Sequence, residues 1–237
     1  MRPGAAGVKG VRSRPREAAS AVGGGAVLPR AAGVISLGPI AIGKDGVGSM
    51  FVLEARSERI AVLALAVAMA ATRIGHFAPV APDASTAVFF LAGLLLGNPL
   101  WLLALLAEAL VLDWTAIEIV GIEAVCVTAG YGMMIPAYAS LWLAARLVRT
   151  ADRLDALSLA KLVGACVVGV LVFFLLSNVG YYFGGGFDSS MGLEEYARRV
   201  ARYFPRYLGS TLFYSAAGIA LALLAARFSP RGRLAAR

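Results

Sequence analysis

From residue 85 to residue 112 the chain is apolar apart from one acid, Glu108, and one turn-like cluster, Gly97, Asn98 and Pro99. A helix crossing a bilayer upright needs roughly 20 apolar residues. The run is therefore either one kinked helix or two short helices that turn at residues 97–99. Composition extends the constraint to the whole chain. Hydrophobic residues make up 59% of the 237, charged residues 15%, and mean hydropathy is +0.77. A soluble domain is roughly half apolar, so the sequence reads as a polytopic membrane protein. Segments in lipid must satisfy their own backbone hydrogen bonds, and the expected fold is all-α.

Charge sets the topology. There are 22 Lys and Arg against 14 acids, a formal charge of +8. In a membrane chain such an excess marks cytoplasmic loops rather than nucleic-acid binding, and no basic-aromatic nucleic-acid module is visible. Arg56 and Arg59 precede the first apolar run. Arg146, Arg149, Arg153 and Lys161 surround a middle loop, and Arg227, Arg231, Arg233 and Arg237 close the chain. All three groups lie on the cytoplasmic side only if the turn at residues 97–99 is real. That gives a six-transmembrane-helix bundle with spans near 59–75, 84–97, 100–114, 131–149, 157–178 and 206–228, and with both termini cytoplasmic.

Residues 1–49 are rich in Gly, Ala and Arg and lack helical apolar periodicity. A basic, disordered extension is expected over residues 1–55, ahead of a membrane domain over 56–237. Met50 is an alternative start to Met1. The first span carries Ala61, Ala64, Ala68 and Ala71 on one helix face. Such a small-residue ridge serves either packing within the protein or contact with a partner such as an energy-coupling module.

Residues 113–138, DWTAIEIVGIEAVCVTAGYGMMIPAY, break the apolar pattern with acids, a cysteine, glycines and a proline. Unshielded lipid tolerates no such stretch, and it reads as a binding segment. Under the six-span topology it shares the outer face with residues 75–83 and with the stretch beginning at Ser177. The latter carries Arg198, Arg199, Arg202 and Arg206 on the side where arginine should be scarce. Two explanations stand. An anionic or polar ligand needs them, or Glu194 and Glu195 neutralise them as a solvated helix face, Glu195 and Arg199 being four apart.

Cys126 lies among Gly121, Gly130, Gly132, Asp113, Glu118, Glu123 and Tyr131. A free cysteine is usually a small buried hydrophobe; a thiolate is also a soft donor for metals. Cys166, amid GACVVGVLVFF, fits the first description. The two cysteines form no CxxC pair and no structural disulfide is expected. A single histidine, His76, argues against an all-protein zinc site.

The segments EAVCVTAGYGMMIPAYASLW, RIGHFAPVAPDASTAVFFLAG, EALVLDW and EEYARRVARYF resemble the BtuM family of bacterial cobalamin transporters over about residues 58–227. That family is similar to the S-components of energy-coupling factor transporters. The resemblance implies a bacterial inner-membrane bundle of six helices with a vitamin pocket opening outward. It implies that Cys126 ligates the cobalt of cobalamin (vitamin B12), displacing its upper ligand, and that thiolate attack could release cyanide from cyanocobalamin. It also implies that His76, Asp113, Tyr131 and an arginine, Arg199 or Arg202, line the pocket. Cobalamin is then the substrate, and no intrinsic cofactor is expected. A large ring with apolar faces, amide edges and one metal suits a pocket of aromatics, polar groups and one axial donor. Competing readings are a membrane enzyme for cobalt-centred decyanation, an S-component-like transporter for another vitamin, and an assembly protein without a ligand. No Walker motif is present, so ATP use requires another polypeptide.

Overall fold

In a computed structural model of the chain, the residues described are 53, 55–73, 82–119, 121, 129–149, 155–185 and 191–228. The chain divides into Met1–Leu37, which lies outside the described residues, and Gly38–Arg237. The expected disorder of the extension therefore falls outside them as well. The Leu53 N–H donates to the Leu95 carbonyl at 3.2 Å, and the side chain packs on the core.

Seven α-helices make up the described fold: α1 (Ala55–Arg73), α2 (Ser85–Leu95), α3 (Leu100–Glu118), α4 (Met134–Val148), α5 (Ala156–Phe183), α6 (Leu193–Ala201) and α7 (Phe204–Phe228). A 3-10 turn, Ala129–Met133, leads into α4. The described residues contain no strand. Helices occupy each of the six expected segments, and α6 adds a short amphipathic helix before the last. Leu100–Glu118, Ala156–Phe183 and the run Leu193–Ala225 are long and apolar enough to cross a membrane, yet only 17%, 33% and 11% of their most apolar stretches are buried. Helices this apolar, with so little of their surface inside, expose far more contiguous apolar area than a soluble monomer tolerates. Lipid is the solvent that suits them.

The centre is α2. Every residue from Ser85 to Leu95 is buried, and α1, α3, α4, α5 and α7 all contact it. At 1.5 Å per residue it is only about 16 Å long, roughly half the thickness of a hydrocarbon layer, so it cannot bring both its ends to the faces of one. At its C-terminal end the turn at residues 97–99 is real and is held from both sides. The Gly97 and Asn98 N–H groups donate to Glu58 Oε1 on α1, at 2.5 and 2.9 Å. Arg146 and Arg149 on α4 donate to the Gly97 and Leu96 carbonyls, each at 2.9 Å. The free carbonyls that end a helix thus receive cations, as its dipole favours.

Close helix approach depends on small residues. A Cβ built on Gly93 would sit 2.1 Å from the Trp142 carbonyl oxygen, so α2 and α4 touch backbone to side-chain-free backbone. Gly130 and Gly180 meet in the same way, 1.7 Å separating a Cβ on the first from the carbonyl oxygen of the second. Between α2 and α7 a buried Thr86–Thr211 hydroxyl contact measures 2.7 Å. Thr211 already donates to the Tyr207 carbonyl, so Thr86 is the donor. Hydroxyl pairs of this kind join helices where apolar contact alone gives little drive. At the start of α5, Asp155 Oδ1 accepts the Ser158 N–H at 2.7 Å. This backbone hydrogen bond holds the Asp155 carboxyl below its ordinary range.

Cys166 is free and buried, the bland case its surroundings indicate. Three residues of the alanine ridge, Ala64, Ala68 and Ala71, are exposed, and Ala61 is half-buried against the core. Most of the ridge therefore faces outward rather than into this bundle.

Gly93→Val should cost well above the roughly 1–3 kcal/mol typical of overpacking, because backbone rather than a flexible side chain blocks the new atoms. Gly209→Ala, at a position with nothing within 4 Å of a built Cβ, should be tolerated. Thermal melting of the two variants in detergent, followed by size-exclusion profile, checks the contrast.

Candidate functional site

The end of the bundle opposite Glu58 carries a buried ionic cluster. Arg73, the last residue of α1, is 9% exposed. Its Nε donates to Asp113 Oδ1 and its Nη2 to Asp113 Oδ2, both at 2.6 Å, a bidentate pair between α1 and α3. Its Nη1 donates to Ser85 Oγ at 2.9 Å and to the Tyr138 hydroxyl at 2.7 Å. Planar guanidinium suits this work because its donors lie in a fixed fork. The Tyr131 hydroxyl also donates to Asp113 Oδ2. Asp83 Oδ1 accepts the Ser85 N–H at 2.8 Å and the Ser85 hydroxyl at 2.6 Å, while its Oδ2 stands 4.0 Å from Arg73 Nη1.

One residue thus ties together the end of α1, the start of α2, the end of α3 and the first turns of α4. Beneath it the Tyr138 ring stacks on Phe89 at 4.2 Å and leans on Phe173 at 5.0 Å. The cluster therefore rests on an aromatic floor made by α2, α4 and α5. The Asp113 and Asp83 side chains are 21% and 25% exposed and Tyr131 is half-buried. These three reach the surface, and Arg73, Ser85 and Tyr138 lie behind them.

Of the residues expected to line a pocket, Asp113 and Tyr131 are brought together here. His76 and Cys126 lie outside the described residues. Arg199 donates to Glu195 Oε1 at 2.6 Å with its side chain 54% exposed, and Arg198 pairs likewise with Glu194 at 2.9 Å. That is the solvated ion-pair face anticipated as the alternative to a ligand role. Arg202 is exposed at the end of α6. Among the described residues no hydrogen bond or ion pair joins Arg199 or Arg202 to the Asp113 cluster. The α6 helix is fastened instead through Tyr196, whose hydroxyl meets the carbonyl and Oδ1 of Asn178 on α5, at 3.1 and 3.0 Å.

Arg73, Asp83, Ser85 and Tyr138 were not singled out from sequence as pocket residues, although Tyr138 ends the segment 113–138 read as binding and Asp83 ends the stretch 75–83 on the same face. The available signal was Arg73 itself, a cation at the end of an apolar helix, since such a residue in a membrane protein pairs with an acid or faces a polar cavity. A second feature lies apart from the cluster. Arg59, Val62, Leu63, Ala66, Trp101, Ala104, Leu105 and Glu108 line an open groove of about 390 Å³ along α1 and α3.

The helices and the cluster define the class: a helical membrane protein whose one end is closed by a buried arginine–carboxylate network. The model of a family of unknown function, DUF6580, matches residues 54–231, and the chain belongs to that family. The match covers the whole helical unit described above. No curated protein matches the chain.

Removing one partner of a buried ion pair strands the other and typically costs about 3–5 kcal/mol. Arg73→Met and Asp113→Leu should each lower the melting temperature strongly, and the double variant should lose much less than the sum of the two. Tyr131→Phe, which deletes a hydrogen bond to a charged acceptor, should cost about 1.5–3 kcal/mol. A double-mutant cycle on thermal unfolding in detergent measures all three.

Proposed function

We propose that this protein is a six-span transporter of the bacterial inner membrane that binds cobalamin or a related corrinoid at its outer face. Both termini are cytoplasmic in this reading, and Cys126 is the axial ligand to cobalt. The observation that carries it is the meeting of Asp113 and Tyr131 around Arg73. Two of the residues that the BtuM resemblance singles out, 18 positions apart, share one polar cluster at one end of the bundle.

Charge supports the direction of uptake. Arg56, Arg59, Arg146 and Arg149 gather at the end held by Glu58, which the positive-inside bias assigns to the cytoplasm. The Asp113 end then faces outward, where a vitamin arrives. Thiolate sulfur, a soft and strongly binding donor, exchanges for the upper axial ligand of cobalt. With cyanocobalamin the Co–C bond breaks as the Co–S bond forms. Cyanide leaves with its electron pair and the oxidation state of cobalt is unchanged. His76, Asp113 and Tyr131 meet the polar edges of the corrin, and neighbouring aromatic residues pack on the ring. Arg199, with Arg202 as the alternative, would join them only after giving up its exposed pair with Glu195. The exposed alanines Ala64, Ala68 and Ala71, with the half-buried Ala61 on the same ridge, suit contact with an energy-coupling module.

Protein purified in detergent after incubation with cyanocobalamin should carry the pigment, with a cobalt absorption spectrum altered from that of the free vitamin. Cys126→Ala should restore the free-vitamin spectrum or abolish binding, whereas an unaltered shift in that variant would defeat the cobalt–thiolate assignment. Uptake into vesicles, measured separately from the spectrum, distinguishes transport from decyanation alone.

A further inference from the structure

Most of the donors at the outer cluster are spent inward. Arg73 owns five N–H groups and makes four hydrogen bonds, two to Asp113, one to Ser85 and one to Tyr138, while remaining 9% exposed. The Ser85 hydroxyl donates to Asp83, and the Tyr131 hydroxyl donates to Asp113. Ser85 and Tyr138 are themselves buried, at 0% and 3% exposure, and cannot reach a ligand.

What faces outward is acceptor capacity. Two carboxylates stand against one guanidinium, Asp83 and Asp113 against Arg73, a net charge of −1 from these three. An ionised carboxylate offers about four acceptor sites. Asp113 fills three of them with Arg73 Nε, Arg73 Nη2 and Tyr131, and Asp83 fills two with the N–H and hydroxyl of Ser85. Asp83 Oδ2, with Arg73 no closer than 4.0 Å, is the acceptor least engaged. A rim of this composition welcomes N–H donors. It opposes a ligand carboxylate twice, through like charge and by leaving acceptors facing acceptors, and unmatched polar groups in a binding site are the strongest source of discrimination.

We infer that this rim reads the peripheral amides of the ligand, Asp83 and Asp113 accepting their N–H groups, and excludes ligands in which the contacted amide is a carboxylate. The inference rests on the corrinoid reading above and adds to it a specificity-determining residue, Asp83, which sequence did not single out. It also assigns amide rather than phosphate groups of the ligand to the Asp113 side of the pocket.

The test uses the full chain in detergent at neutral pH, with cyanocobalamin and its isomeric monocarboxylates as probes, each having one side-chain amide hydrolysed to the acid. At least one isomer should bind 10-fold or more weakly than cyanocobalamin. Asp83→Asn should narrow that gap several-fold. An asparagine oxygen can still accept from Ser85, so this variant keeps the local fold, and an unchanged melting temperature verifies it. Asp113→Asn is the second variant, read only where it remains folded. Equal binding of cyanocobalamin and every isomer by the wild-type protein would overturn the inference while leaving the corrinoid reading intact. So would a gap that Asp83→Asn leaves unmoved. Binding of no corrinoid at all would remove the reading and the inference with it.

Discussion

The fold depends on the length of α2. A central helix of about 16 Å is half as long as a hydrocarbon layer of about 30 Å is thick, so its terminal N–H and carbonyl groups cannot all rely on the water at the two faces. Those that do not must be answered by protein. At the C-terminal end Glu58, Arg146 and Arg149 do so. At the N-terminal end the Ala84 N–H donates to Thr72 Oγ1 at 3.1 Å and the Ser85 N–H to Asp83. The charged clusters at the two ends of the bundle thus both serve one short helix, and the Arg73 network is the one at its N-terminal end.

This origin explains why Arg73 is so fully engaged. A guanidinium this far from water costs several kcal/mol to desolvate, and only good geometry with every lone pair matched offsets that cost. The bidentate pair with Asp113 supplies the geometry, and Ser85 and Tyr138 supply further acceptors. The same bonds fix Asp113 and Tyr131 in position without the ligand proposed for them. A binding surface held by residues locked from behind retains its shape, and preorganisation of this kind raises affinity by reducing what must be ordered on binding.

Much of this was legible in the sequence. Apolar runs located the helices, and charge bias alone required the turn at residues 97–99, where α2 stops at Leu95 and α3 begins at Leu100. Four-residue spacing anticipated the Glu195–Arg199 pair. Helix ends were less legible. The fifth span was expected to stop near residue 178, at Ser177 and Asn178. Both side chains instead bond back to the Phe174 carbonyl of their own helix, at 3.2 and 2.7 Å, and α5 continues to Phe183. Thr115 does the same on α3, bonding to the Val111 carbonyl. Polar residues satisfied by the turn beneath them do not end a helix, and composition alone cannot show which carbonyl they will find.

The Arg73 cluster was hidden for a different reason. Arg73 and Asp113 are 40 residues apart and Arg73 and Tyr138 are 65 apart, so no local periodicity links them. They meet because successive helices run antiparallel, which brings the end of α1, the start of α2, the end of α3 and the start of α4 to one face. A topology drawn from charge contains that information, since it assigns residues 73, 83, 113 and 131 to the same side. What it lacks is the demand that the depth of α2 makes on its neighbours. Once α2 is known to be short, a cation and acids at those positions become a requirement of the backbone. The binding rim proposed for them is then an addition to a structural role, and substitutions of Arg73 and Asp113 must be read with both roles in view. Asp83 Oδ2 makes none of the bonds that Oδ1 makes to α2 and meets the network only through Arg73 at 4.0 Å, so of these carboxylate oxygens it is the one whose change disturbs the fold least.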